Sequence, residues 1–289
     1  MKNNLIDGMT LGADPELMLF DNKKGRIVSS IPVVGRDKHD PVDLGDGIRM
    51  YADNVLVEVA FPPANNKGGF IETIRTAIAR MSEALGAGFR LLPKTSHVYP
   101  ESELRNKKAV ESGCNENFDV YGRTKGPPPP FNGGLRTGSF HVHIGHNQLL
   151  DPRNKDRMVR LLDIYLGCAS IVFDNDETSH ARRSLYGKAG EFRPTPYGVE
   201  YRVLGNFALR SPRVTELVVD LVQFSVDKLI SGQADKIIGS IDQANVQNAI
   251  NSNMRGLAKS VLKSGGLDAS LFSGVNKTYK PSCSIEAWL

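Results

Sequence analysis

The sequence predicts an α+β fold: a curved, mainly antiparallel sheet with helices on its convex face. Three observations predict it. Four separate segments alternate apolar and polar residues at period two, as half-buried strands do. Each segment is apolar on one side, and stretches of helical period can cover that side. The first strand runs into a turn, Asp21-Asn22-Lys23-Lys24-Gly25, and a hairpin favours antiparallel pairing.

Residues 9–20 form the first strand and Arg26 to Ile31 its return. Gly12, Asp14 and Glu16 share one face; Ala13, Leu17 and Leu19 share the other. Pro15, which lacks an N–H, predicts an edge strand or a bulge at that point. Two carboxylates on one face repel, so a cation or a retained proton is needed there. Residues 32–52 read as loop with short strands. Residues 53–61 read as one strand, with Val55, Val57, Val59 and Phe61 on one side and Asn54, Leu56 and Glu58 on the other.

A helix follows over 67–86, carried by Phe70, Ile71, Ile74, Ala77, Ile78, Met81 and Leu85. Phe89 to Leu92 is a further strand. Residues 96–136 lack sustained periodicity and contain Pro127-Pro128-Pro129-Pro130, which predicts a lid or substrate-recognition segment. The stretch Thr137-Gly138-Ser139-Phe140-His141-Val142-His143-Ile144-Gly145 then alternates strictly. Phe140, Val142 and Ile144 pack, while His141 and His143 stand side by side on the opposite face.

Asp156 to Phe173 reads as a helix, and 174–197 as a polar, basic connection. Residues 198–205 form the fourth marked strand, with Glu200 and Arg202 on one face and Val199, Tyr201 and Val203 on the other. Pro212 opens a helix through Leu229, and a second helical stretch runs from about Ala234 to Leu262. The chain is predicted as one domain over 1–289, with chemistry-bearing motifs in 10–210, helices in 211–262 and a tail over 263–289.

Composition narrows the classes. Thirty-six basic against 32 acidic residues give a net charge of +4. Basic clusters are as short as Lys107-Lys108 and Arg182-Arg183, so a nucleic-acid partner is unsupported. No apolar run reaches the roughly 18 residues of a membrane span, and no hydrophobic signal core follows Met1-Lys2-Asn3-Asn4. Three widely spaced cysteines, Cys114, Cys168 and Cys283, predict a reducing cytoplasm and no disulfide framework.

Superposing the polar faces gathers Asp14, Glu16, Asn54, Glu58, His141, His143, Glu200 and Arg202 on one concave surface. Divalent cations remove the repulsion among such carboxylates, and oxygen-rich ligation with an imidazole suits Mg²⁺ or Mn²⁺. Arg182, Arg183, Arg193 and Arg202 offer planar forks for phosphate or carboxylate. Carboxylates for metals with arginines for phosphates are the equipment of phosphoryl transfer.

Several motifs resemble one known family: Gly12-Ala13-Asp14-Pro15-Glu16-Leu17, Asp53 through Glu58, Gly138 through Gly145 and Tyr197 through Arg202. Gly113-Cys114-Asn115 and Leu185 through Arg193 add to these. The family is the carboxylate–amine ligases (amidoligases) of the glutamine synthetase and glutamate–cysteine ligase superfamily, in the phage-encoded type 2 branch. The resemblance spans roughly residues 10–210, in order.

It implies a glutamine synthetase-like sheet with ATP entering one end of a funnel and the carboxylate and amine substrates the other. It implies metal ligation by Glu16, Glu58, Glu200 and His141. Asp14, counted with them, stands where glutamine synthetases usually carry the longer Glu. It implies that His143 contacts nucleotide phosphates, and that Arg193 and Arg202 bind the γ-phosphate and the acyl-phosphate being formed. Arg182 or Arg183 serves likewise. The activity implied is ATP- and Mg²⁺- or Mn²⁺-dependent amide formation through an acyl phosphate, on small-molecule or peptide carboxylates and amines. The site implied is cytoplasmic, the host's if the gene is a phage's.

Two other classes stay open on the residues alone. A His-x-His metal-dependent oxygenase or hydrolase needs a third facial ligand and no triphosphate arginines, and iron content distinguishes it. A non-enzymatic phage nucleic-acid or assembly protein using residues 174–202 predicts steeply salt-dependent DNA binding without ATP turnover.

Overall fold

A computed structural model of the chain describes residues 4–110, 117–122, 133–268 and 285–289. The strands in chain order are β1 (Thr10–Asp21), β2 (Arg26–Val28), β3 (Val42–Asp43), β4 (Arg49–Asp53), β5 (Leu56–Ala60) and β6 (Phe89–Leu92). They continue with β7 (Ser96–Val98), β8 (Phe118–Asp119), β9 (Leu135–Thr137), β10 (Phe140–Gly145), β11 (Glu191–Thr195) and β12 (Gly198–Tyr201). The main sheet runs β3-β4-β5-β1-β10-β12-β11-β8, with β2 and β6 also paired to β1. All its described pairings are antiparallel, as the opening hairpin predicts.

β1 is the spine. Its first half pairs with β10 from Thr10↔Gly145 to Pro15↔Phe140; then Glu16↔Glu58 and Leu17↔Val57 join it to β5. Pro15 is therefore not on an edge strand. It occupies the last rung of one ladder, where the central strand changes partners and a missing N–H costs least. Period-two alternation then sends Leu11, Ala13, Leu17 and Leu19 into the core and leaves Gly12, Asp14 and Glu16 on the opposite face.

The apolar faces of β1, β5, β10 and β12 pack against helices. Those helices are α2 (Lys67–Leu85), α3 (Pro152–Leu162), α4 (Cys168–Phe173) and α6 (Pro212–Ile230), all contributing to one core. Short turns α1 (Ile31–Val34) and α5 (Ser179–Arg182) lie in the connections. Caps set where the long helices begin. Asn66 accepts from the Gly69 N–H at 2.7 Å to start α2, and Ser211 before Pro212 starts α6. A π-turn, Asp163–Gly167, joins α3 to α4, so the predicted helix over 156–173 is one continuous helical run interrupted by a wider turn.

Three expectations are corrected. Residues 53–61 are not one strand: Asn54 takes φ +54°, and the chain turns there from β4 into β5. The described part of 96–136 is structured, with β7 paired to β9, and Tyr99 and Arg136 buried. The helical stretch from 234 to 262 is three helices, α7 (Ala234–Ser240), α8 (Gln243–Asn251) and α9 (Arg255–Ser264). Cys168 is free and buried; Cys114, Cys283, the Gly113-Cys114-Asn115 motif, the Pro127–Pro130 run and most of the tail lie outside the described residues.

Candidate active site

Strand register assembles the site rung by rung. Asp14 on β1 faces His141 on β10, and Glu16 faces Glu58 on β5, which faces Tyr51 on β4. On the other side His143 faces Glu200 on β12, which faces Arg193 on β11. The antiparallel ladders fix this register, so these side chains are brought together by the pleat and not by loop conformation.

The polar face divides into two groups. Ligand atoms of Asp14, His141 and Glu200 lie within 4.8 Å of one another, and so do those of Glu16, Asp53 and Glu58. In the first group Asp14 Oδ1 is 3.3 Å from His141 Nδ1, which is 3.6 Å from Glu200 Oε1. His141 Nε2 is buried with no hydrogen-bond partner. In the second, the Tyr51 hydroxyl donates to Glu58 Oε1 at 2.7 Å. Glu16, Glu58, His141 and Glu200 are all buried.

Burial and crowding perturb these groups. Burial, followed by the charges of Asp53 and Asp14, pushes the Glu16 carboxyl up to about 8. Burial with Asp53, Asp14 and Glu16 raises Glu58 well above the usual carboxylate range. Burial works to raise Asp14 too, but His143 and His141 outweigh it and hold it below the ordinary value. Burial depresses His141; for His143, Asp14 overcomes burial and raises it. Two sets of three hard ligands, one with an imidazole, fit Mg²⁺ or Mn²⁺ in donor chemistry. Asp14, despite its shorter side chain, belongs to the first set.

A cavity of about 230 Å³ opens onto both groups, and Lys38, Arg193 and Arg202 also line it. Both arginines engage Glu200: Arg193 Nε donates to Oε2 at 2.6 Å, and Arg202 Nε lies 3.0 Å from Oε1. Beyond Asp14 and Tyr51 a second cavity of about 380 Å³ begins, walled by Gly12, Ala13, Ala60, Phe61, Pro63 and Tyr197 and reaching His143. His143 Nδ1 lies 2.6 Å from the Tyr197 hydroxyl in a hydrogen bond, and its Nε2 lies 3.2 Å from Asp14 Oδ2.

Arg182 and Arg183 stand elsewhere: among the described residues neither lines these two cavities. Arg182, fully buried, donates to the carbonyls of Val203 and Arg202 at 2.9 Å each and to Ser139 Oγ at 2.8 Å. Arg183 donates to the Ser179 carbonyl at 3.2 Å, and burial, with Arg182 beside it, brings its guanidinium down to about 10.

Sequence reasoning missed Asp53, Tyr51, Lys38 and Tyr197 as site residues. Reading 53–61 as a single strand puts Asp53 on the apolar side with Val55; the left-handed Asn54 resets the parity. The Asp53-Asn54 pair was the available signal, since Asn tolerates that conformation. Tyr51 and Lys38 lie in a stretch with no periodicity to place them.

The fold and site define an open antiparallel sheet that carries an acidic cavity with two cation-fitting groups beside an apolar one. Residues 130–263 match the family model described as Phage phiEco32-like COOH.NH2 ligase-type 2. That segment, just under half of the chain, holds His141, His143, Arg182, Arg183, Arg193, Glu200 and Arg202, and is similar to this carboxylate–amine ligase family. The similarity to a ligase family model supports an enzyme. No curated protein matches the sequence. A crystal structure described as a novel glutamine synthase homolog aligns over 93% of this chain and 68% of its own, at 12% identity and a TM-score of 0.35. Among the described residues no helix is long and apolar enough to cross a membrane.

Proposed function

We propose that the chain is an ATP-dependent ligase that joins a carboxylate to an amine through an acyl phosphate. The observation that carries the proposal is the pair of cation-fitting groups, Asp14-His141-Glu200 and Glu16-Asp53-Glu58, in one cavity lined by Arg193 and Arg202. Among the described residues these are the two groups of three His, Cys, Asp or Glu side chains close enough to share a metal ion.

In this reading the apolar cavity takes the nucleoside. Its volume and its walls of Phe61, Pro63, Ala60 and Tyr197 suit a flat heterocycle, and His143 stands where it opens toward the acids. The triphosphate then points into the acidic cavity. Asp14, His141 and Glu200 would hold one divalent cation, and Glu16, Asp53 and Glu58 a second. Bound there, Mg²⁺ or Mn²⁺ supplies positive charge for the phosphoryl oxygens. Arg193 and Arg202, now turned to Glu200, present forks to the γ-phosphoryl once Glu200 is occupied otherwise.

A substrate carboxylate oxygen attacks the γ-phosphorus as the bond to ADP breaks, giving an acyl phosphate. An amine nitrogen then attacks the acyl carbon, the bond to phosphate breaks, and the nitrogen loses a proton to form the amide. The Arg193 and Arg202 guanidinia stabilise charge developing on the transferring oxygens, which is where an enzyme gains rate over ground-state binding. We assign Arg182 a positioning role in place of phosphate contact. Its grip on the carbonyls of Arg202 and Val203 and on Ser139 fixes the segments from which Arg202 and His141 project. One catalytic unit over the chain is sufficient for all of this.

The test is ATP conversion to ADP and phosphate that requires both a carboxylate and an amine, followed by mass spectrometry of products from a panel of amino acids. Turnover should vanish in Glu58→Ala. Normal turnover in that variant would remove the second group from the mechanism.

A further inference from the structure

Lys38 lines the acidic cavity, and the proposed reaction gives it no task. It follows α1, which ends at Gly35 with φ +66° in a left-handed cap. The loop after it is braced on both sides. The Ala52 N–H donates to the Arg36 carbonyl at 2.9 Å, tying the loop to β4 one residue before Asp53. Asp37 accepts from the His39 N–H at 3.0 Å and pairs with Lys108, while Arg36 pairs with Asp40. The backbone around Lys38 is thus fixed. Its ammonium makes no ion pair among the described residues, and its side chain lines the acidic cavity.

Its place in that cavity has a direction. The apolar cavity joins the acidic one at Asp14 and Tyr51, and Asp53 lies two residues further along β4. The Ala52–Arg36 hydrogen bond sets the Lys38 loop beside the Asp53 end of β4, and Lys38 and Asp53 both line the acidic cavity while neither lines the apolar one. The arginines of the cavity cannot serve there unaided, since both are engaged with Glu200. A lysine is suited to such a post: a compact ammonium with three rotatable donors on a flexible stem.

We propose that Lys38 is the binding residue for the substrate carboxylate, its ammonium shared between Asp53 and the incoming carboxylate at the end of the cavity away from the nucleotide. The proposal rests on the ligase reading and deepens it by placing the second substrate. It has a two-signed consequence. A fixed positive charge beside Asp53 opposes divalent-cation binding and favours anion binding, so its removal must move the two affinities in opposite directions.

The experiment measures Mn²⁺ binding by the free-ion electron paramagnetic resonance signal. It then measures acetate binding to the Mn²⁺-loaded protein by broadening of the acetate methyl proton line. Wild type, K38Q, K38R and E58Q are compared. K38Q should bind Mn²⁺ about tenfold more tightly and acetate about tenfold more weakly, while K38R stays near wild type in both. Lys38 is exposed, so K38Q folds. K38Q matching wild type in either titration, or K38R behaving as K38Q, overturns the proposal. A wild type that takes up no more Mn²⁺ than E58Q refutes the ligase reading itself.

Discussion

The Tyr197 hydroxyl stands 2.6 Å from Nδ1 of His143. That contact fixes an imidazole whose other nitrogen faces Asp14 at 3.2 Å, so one tyrosine orients the residue joining the apolar cavity to the acidic one. Tyr197 is 45% exposed and is not part of the core, so its removal tests binding without testing folding. Tyr197→Phe should lose about 1 kcal/mol of interaction and raise KM for ATP about fivefold, with kcat changing less. Steady-state kinetics check this; an unchanged KM would separate His143 from nucleotide binding.

Glu58 illustrates the conflict between stability and site. Buried beside Glu16 and Asp53, its carboxyl is pushed up by burial first and by those charges next. Glu58→Gln keeps the shape and the acceptor for Tyr51 but removes one repelling charge. The variant should melt higher than wild type without divalent cations, by about 1 kcal/mol of stability, and gain less on Mn²⁺ addition. Thermal melts with and without Mn²⁺ decide it, and an equal Mn²⁺ gain in both proteins would count against ligation by Glu58.

Asp163 gives a pH prediction away from the cations. It is fully buried in the π-turn and accepts from the Tyr201 hydroxyl at 2.7 Å. Burial, against the hydrogen bonds from Tyr201 and Tyr121, pushes it up to about 7. The folded state therefore binds the proton more tightly than the unfolded chain. The resulting stability is complete below about pH 4 and is lost as pH rises through about 7. Wild type relative to Asp163→Asn should lose on the order of 4 kcal/mol across that interval. Denaturation curves that stay parallel from pH 4 to 8 would contradict the shift.

Much of this site is written in strand parity. The rungs Asp14–His141 and Glu16–Glu58 follow from alternation in β1, β5 and β10, and Glu200 from alternation in β12. Parity cannot see turns. One left-handed residue, Asn54, was enough to hide Asp53 by carrying the reading through a hairpin as if it were extended chain. Nor does a basic cluster announce depth: Arg182 and Arg183 read as forks for phosphate or carboxylate, whereas Arg182 is buried and grips carbonyls. Lys38, in an aperiodic loop, carries no local signal at all; only the fold brings it to the acids.

The burial of Arg182 has a direct test in its neighbour. Gly187 has φ +84°, and a Cβ there would collide with Arg182 Nη1. Gly187→Ala must displace a guanidinium that holds four acceptors, as well as strain the backbone, and should cost about 3 kcal/mol or more. Arg182→Lys should cost a similar amount, because an ammonium cannot replace the fork. Urea unfolding measures both, and a loss under about 0.5 kcal/mol in either would show that the grip is not structural.

The most direct measurement is anomalous scattering from a crystal soaked in Mn²⁺. The account predicts two strong peaks, one among Asp14, His141 and Glu200 and one among Glu16, Asp53 and Glu58. Peaks confined to other surfaces, with both groups empty at saturating Mn²⁺, would contradict it.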